Sequence, residues 1–195
     1  MLHTLTEDLA SFLSEVTQDA LGCPVPHSAR DVGELCLHLI DQNIDVATAV
    51  AGEKVAYRQW AGSLDRASLD TSVDYYYGGA GLEVGYRRTA GLMENSFASV
   101  TDMSRLRRVK GFQEEVDIAT LYEEQIRNTV IHTWDVAQAL GFSYQPAPGV
   151  TQRILRTTVL RTPPSTVPDG TGAWPGGVDD ASAFAAVLTL SSRGR

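Results

Sequence analysis

Apolar side chains recur at the helical period in four long stretches of the chain. The first covers residues 4–20, with Thr4 or Thr6 as its N-cap, and the second follows Ser28, which can cap it, and runs about 20 residues to Gly52. The third covers residues 82–100, and the fourth covers residues 118–140, with Gly141 as its C-terminal cap. Four amphipathic helices of comparable length predict a four-helix bundle.

The segments between and after these helices predict smaller elements. Residues 52–80 read as a loop with a short helix near residues 57–64, and residues 101–116 suit an extended or hairpin-like connection. A shorter helix is expected at residues 150–161, and a last helix, capped by Asp179 or Asp180, runs to Leu190. The pattern therefore predicts an all-α fold with a short extended connection and a small C-terminal helical appendage, in a single domain spanning residues 1–195.

Composition and charge restrict the function classes. The chain has 195 residues and a formal net charge of −8, and its densest basic cluster, around Arg105 to Lys110, is followed at once by acidic residues. Binding of nucleic acid is therefore not expected. No stretch approaches the ~20 apolar residues of a membrane span, and the N-terminus lacks the pattern of a signal peptide. Cys23 and Cys36 are too far apart for a Cys-x-x-Cys pair, and Cys36 reads as a buried thiol. We expect a cytoplasmic protein.

Histidines are the candidate chemical groups. His3 lies near a terminus that is expected to fray, and His27 lies in a proline-containing loop. His38 lies at the edge of the apolar face of the second helix. His132 lies in the middle of the fourth helix, and Asn128 precedes it by one turn on the same face. Side chains that converge from facing helices are how bundles build metal sites. A hydrogen-bonded core or surface role explains such histidines equally well, so the residues alone leave both interpretations open.

Three segments resemble one protein family. IRNTVIHTWDVAQALG is similar to the signature of actinobacterial DinB-like proteins of the mycothiol-dependent maleylpyruvate isomerase-like metal-binding family. CPVPHSARDVGELCLHLID resembles that family's Cys-Pro dipeptide and following helix, and WPGGVDDASAFAAVLTLSSRGR resembles its closing stretch. The segments occur in the family's order at the beginning, middle and end of the chain.

The resemblance implies a DinB-like bundle that holds a divalent metal, most simply zinc, through three side chains. By matching positions, the ligands are His38, Asn128 and His132. The family has a carboxylate where this chain has Asn128, and a neutral amide oxygen is a weaker zinc donor. Trp134 is expected in the core, and Asp135 is expected to anchor backbone or orient a ligand.

Two classes of function are compatible with these residues and with the resemblance. The first is a metal-dependent enzyme, a mycothiol-type S-transferase or isomerase, which uses a mycothiol-like thiol as cosubstrate and acts on a small electrophilic substrate. The alternative is a ligand-binding or interaction bundle with a degenerate metal site, or a metal-free enzyme with His38 or His132 as general base. No catalytic residue is assigned, and a homodimer is compatible with either class.

Overall fold

The computed structural model describes residues 1–26, 28–52, 80–109, 112–147, 149–161 and 180–192, and these are mostly helical. The α-helices of this part of the chain are α1 (Leu2–Leu13), α2 (Val32–Ala51), α3 (Ala80–Ala98), α4 (Ile118–Ala139), α5 (Val150–Arg161) and α6 (Asp180–Ser192). A 3₁₀-helix (Asp19–Gly22) precedes α2. The all-α prediction is confirmed, whereas the short helix predicted at residues 57–64 lies outside the described residues.

The chain divides into two compact units, Met1–Ser143 and Tyr144–Arg195. The single domain expected over residues 1–195 stays a prediction. None of the described helices is both long and apolar enough to cross a membrane.

The first unit contains α1 to α4. Helices α1 and α2 each pack against both α3 and α4, but α2 meets α4 at few backbone positions. The apolar faces enclose a core whose members include Leu9, Leu13, Val32, Leu35, Cys36, Ile40, Leu82, Tyr86 and Val136. Burial of this apolar surface provides most of the stability of such a unit. The predicted burial of Cys36 is confirmed, and Cys36 and Cys23 are both free thiols.

Helix α2 begins at a capping box. The Asp31 carboxylate accepts a hydrogen bond from the Glu34 amide at 2.9 Å, and the Glu34 carboxylate accepts one from the Asp31 amide at 3.1 Å. The predicted cap, Ser28, instead accepts a hydrogen bond from the Arg30 amide at 3.1 Å. The predicted N-cap of α2 was therefore wrong, because it lies three residues before the observed one. At the other end, Gly52 adopts a left-handed conformation with φ +76°, as expected of a C-terminal cap.

Helix α1 begins earlier and ends earlier than predicted. It starts at Leu2, so neither Thr4 nor Thr6 is its N-cap, and it ends at Leu13. Thr6 is buried within the helix, and its hydroxyl lies 2.8 Å from the carbonyl oxygen of His3. The last apolar residues of the predicted helix, Val16 and those near it, belong to the segment that leads into the 3₁₀-helix.

The connection between α3 and α4 is extended, as predicted. Strands β1 (Leu106–Arg107) and β2 (Val116–Asp117) form an antiparallel pair, with Leu106 opposite Asp117. Asp117 then caps α4, since its carboxylate accepts a hydrogen bond from the Thr120 amide at 2.6 Å. This cap and the strand pair fix where α4 starts.

The second unit contains α5 and α6, which pack against each other. Gly149, with φ +83°, precedes α5 in the left-handed conformation that glycine adopts without strain. Ile154, Ala183 and Val187 are almost fully buried. The helix predicted at residues 150–161 is confirmed at both ends, and the last helix extends two residues beyond the predicted Leu190.

Candidate metal centre

The structure brings His38 of α2 and His132 of α4 into contact. Their ring centres are 6.0 Å apart and the ring planes are almost perpendicular, at 88°. An ion about 2.0–2.1 Å from each coordinating nitrogen lies about 3 Å from each ring centre, so two histidines on one tetrahedral ion have centres roughly 5 Å apart. The observed separation of 6.0 Å is thus roughly 1 Å longer than expected for a shared tetrahedral ion. The pair is close to the spacing that a shared ion requires, and binding of an ion stays a prediction.

Asp135 sets the orientation of the His132 ring. The Nδ1 atom of His132 lies 3.1 Å from Oδ2 of Asp135, one turn further along α4, and both side chains are buried. A carboxylate holds a proton on the nitrogen that faces it, which leaves Nε2 as the nitrogen with a lone pair. Metal-bound histidines commonly have such a carboxylate partner. This contact agrees with the second of the two roles expected for Asp135, and the role of His132 as a metal ligand stays a prediction.

Asn128 lies one turn before His132 on α4 and is half-buried. Its Oδ1 atom accepts a weak hydrogen bond of 3.5 Å from Arg127, and the same guanidinium group binds Glu124 at 2.5 Å. The Arg127–Glu124 ion pair places a positive charge beside the amide oxygen. The third predicted ligand is thus on the same face as His132, but it is neutral and has a cation as a neighbour.

A polar layer lies in the core next to the histidine pair. Gln125 of α4 donates through Nε2 to Oδ1 of Asn43 at 3.2 Å, and Asn43 of α2 donates through Nδ2 to the Thr89 hydroxyl of α3 at 3.4 Å. All three side chains are buried. Buried amides require such partners because unpaired polar groups in a core are destabilising. This layer joins three helices and fixes α2 relative to α4 beside the candidate centre.

Gln42 is a second amide near the pair, and the sequence analysis did not single it out. It follows His38 by one turn of α2, on the same face. Its Oε1 atom is buried and has no hydrogen-bond partner among the residues that the structure describes. The sequence feature that could have identified Gln42 is its spacing of four residues from His38. Asn128 and His132 have the same spacing.

Two further predictions concerning aromatic and histidine residues need correction. Trp134 is half-buried rather than part of the core. His3 is not a frayed terminal residue, because its Nδ1 atom lies 2.9 Å from the Glu94 carboxylate on α3. His27 lies outside the described residues.

A cleft of about 480 Å³ adjoins His3 and Glu94 and is lined partly by Phe97 and Tyr122. The Thr6 hydroxyl also hydrogen-bonds the Glu94 carboxylate. This cluster joins α1 to α3 and is separate from the residues predicted to hold a metal.

Among the described residues, no three side chains of histidine, cysteine, aspartate or glutamate converge as a metal-binding group. The side chain that accompanies the histidine pair on α4 is the amide of Asn128. Comparison of the chain with family models, with curated proteins and with solved structures finds no match.

Proposed function

We propose that the chain is a metal-dependent, thiol-handling enzyme whose first unit is a DinB-type four-helix bundle. The observation that carries the proposal is the contact between the His38 and His132 rings, 6.0 Å apart on two helices. The resemblance of three sequence segments to the mycothiol-dependent family supports the same proposal. The activity would be that of an S-transferase or isomerase that acts on a small electrophile in the cytoplasm.

The proposed ligands are His38, Asn128 and His132. A divalent ion bound there would lower the pKa of a thiol, so that the thiolate forms near neutral pH. Asp135 keeps the proton on Nδ1 of His132 and thereby directs Nε2 toward the ligand position. Three protein ligands leave a position for the thiol.

A second candidate function is a binding bundle without a metal. It is favoured by Asn128, which is neutral and whose oxygen accepts a hydrogen bond from the cation Arg127. A cation at this position disfavours a nearby metal ion. In that case the pocket would bind a small molecule without thiol chemistry.

Zinc binding and thiol-dependent turnover test the proposal together. Protein purified without a tag or chelator is expected to contain zinc, and its turnover of an electrophile is expected to require mycothiol. His132→Ala should abolish both, while the free energy of unfolding changes by less than about 2 kcal/mol because the chain folds on its own apolar core. Asn128→Glu should tighten zinc binding in calorimetry, since an anionic oxygen replaces a neutral one.

His3→Ala is the matched control, because it removes a histidine that lies on α1 against Glu94. Its zinc affinity should equal that of the parent. Equal zinc affinity in the parent and His132→Ala would refute the metal centre. Turnover that requires neither thiol nor zinc would refute the proposed chemistry. If the protein contains no metal and shows no turnover, the binding bundle is favoured.

A further inference from the structure

The register of α2 against α4 places Gln42 within one helical turn of the level of Asn128. The His38 ring contacts the His132 ring, and the Asn43 amide accepts a hydrogen bond from Gln125. Later residues of α2 thus contact earlier residues of α4, so the two helices run antiparallel. Gln42 follows His38 by one turn on the same face of α2, so it lies toward the turn of α4 between Gln125 and His132, which contains Asn128.

Two matching pairs result from this register. On α2, His38 and Gln42 are one turn apart, and on α4, Asn128 and His132 are one turn apart. The two histidine rings contact each other, and the two amides lie within one helical turn of the same level. The wide spacing of α2 and α4, which meet at few backbone positions, leaves room for side chains between them.

The Gln42 oxygen needs a partner. Its Oε1 atom is buried, and no described residue hydrogen-bonds to it. Buried carbonyl-type oxygens in native proteins are almost always bound by a donor, an ordered water or an ion. An amide oxygen is a hard donor that suits a divalent cation.

We propose that the Gln42 side-chain oxygen is an additional ligand of the metal centre and compensates for the missing carboxylate at position 128. This inference rests on the proposed function. The donor set is then two imidazole nitrogens and two amide oxygens, all of them neutral, and a thiol would enter as a fifth ligand, a coordination number that catalytic zinc sites can reach. The ion keeps its full charge in such a site, so an anionic ligand such as a thiolate binds more strongly than it would beside a protein carboxylate.

Gln42→Leu tests the role of the oxygen without changing the charge of the protein. The variant is expected to bind Zn²⁺ about tenfold or more weakly than the parent in calorimetry, in the range seen when groups around a metal are removed. The visible absorption of bound Co²⁺ should also change, because the ion loses a ligand. Gln42→Glu should bind Zn²⁺ about tenfold more tightly, because a carboxylate replaces the amide.

Gln18→Leu is the matched control. Its side-chain oxygen is also buried without a partner among the described residues, but Gln18 precedes the 3₁₀-helix and is on neither histidine helix. This variant should keep the parent's Zn²⁺ affinity and Co²⁺ spectrum. Thermal unfolding followed by circular dichroism shows whether each variant is folded, and Gln42→Glu still decides the question if Gln42→Leu does not fold.

The outcomes separate the two proposals. If the parent binds Zn²⁺ and His132→Ala does not, but both Gln42 variants match the parent in affinity and Co²⁺ spectrum, the role of Gln42 is refuted and the metal centre stands. If the parent binds neither Zn²⁺ nor Co²⁺, the metal centre and the role of Gln42 are both refuted. Weaker binding by Gln42→Leu with unchanged binding by Gln18→Leu supports the inference.

Discussion

Tyr86 shows how burial controls the chemistry of a single residue. It lies on α3 with 2% of its surface exposed, and desolvation raises the pKa of its phenol far above the ordinary value. The charges of Glu94 and Glu7 raise the pKa further, and Arg87, which is ion-paired with Glu7, partly opposes them. The folded protein therefore resists ionisation of this tyrosine.

We expect stability to fall at alkaline pH because of Tyr86. A tyrosine in the unfolded chain ionises near pH 10, whereas the folded state holds Tyr86 neutral well above that value. The stabilisation is thus complete below about pH 10 and is lost as the pH rises further. Tyr86→Phe should make the decline above pH 10 shallower, as measured by urea unfolding at several pH values. Parallel pH profiles of the variant and the parent would contradict this assignment.

The residues of the candidate centre differ in how well the sequence predicts them. The helical periods of α2 and α4 predict that His38 and His132 point inward, because position on a helix follows from spacing. The contact between His3 and Glu94 joins residues 91 positions apart in the chain and follows only from the packing of α1 on α3. Gln42 was missed because a glutamine on a helix is usually solvated, and only its buried, unpartnered oxygen distinguishes it.

At the scale of elements, helix ends depend on short-range hydrogen bonds. Ser28 and Asp31 are both favourable N-cap residues, and the sequence does not distinguish them by type. The isolated bridge with Pro24 holds Asp31 in an extended conformation, so the capping box forms at Asp31 and α2 begins at the next residue. The sequence therefore predicts that α2 exists but does not predict its first residue.

Asp31→Ala should destabilise the protein by about 1 kcal/mol, because the variant loses the side-chain bond to the Glu34 amide at the start of α2. Urea unfolding at neutral pH measures the change. Ser28→Ala is the control, and since Ser28 caps no helix it should change the stability by less than about 0.5 kcal/mol. A larger loss from Ser28→Ala than from Asp31→Ala would place the functional cap at Ser28.

At the scale of the whole molecule, the unit Met1–Ser143 has its own core. The described members of one of its apolar clusters lie between Leu9 and Val136, with partly buried neighbours up to Leu140. A unit of this size buries roughly two-thirds of the surface that its unfolded chain exposes, which is sufficient for independent folding. The sequence pattern predicted the helices of both units, but a pattern along the chain does not report which helices share a core.

A fragment of residues 1–143 is therefore expected to fold by itself. Circular dichroism should show helix content in proportion to its described helices and a single cooperative thermal transition. A fragment without a cooperative transition would show instead that residues 1–195 fold as one domain. The full-length chain, measured under the same conditions, is the reference.

The polar layer of Asn43, Gln125 and Thr89 restricts how α2 can slide along its neighbours. A shift of α2 by one helical turn, about 5.4 Å, would carry Asn43 from the level of Gln125 to that of Leu121, which is buried and apolar. The amides would then be buried without partners, so intermediate and shifted alignments are disfavoured. The position of His38 relative to His132 along the helix axes is consequently restrained by the hydrogen bonds of the polar layer.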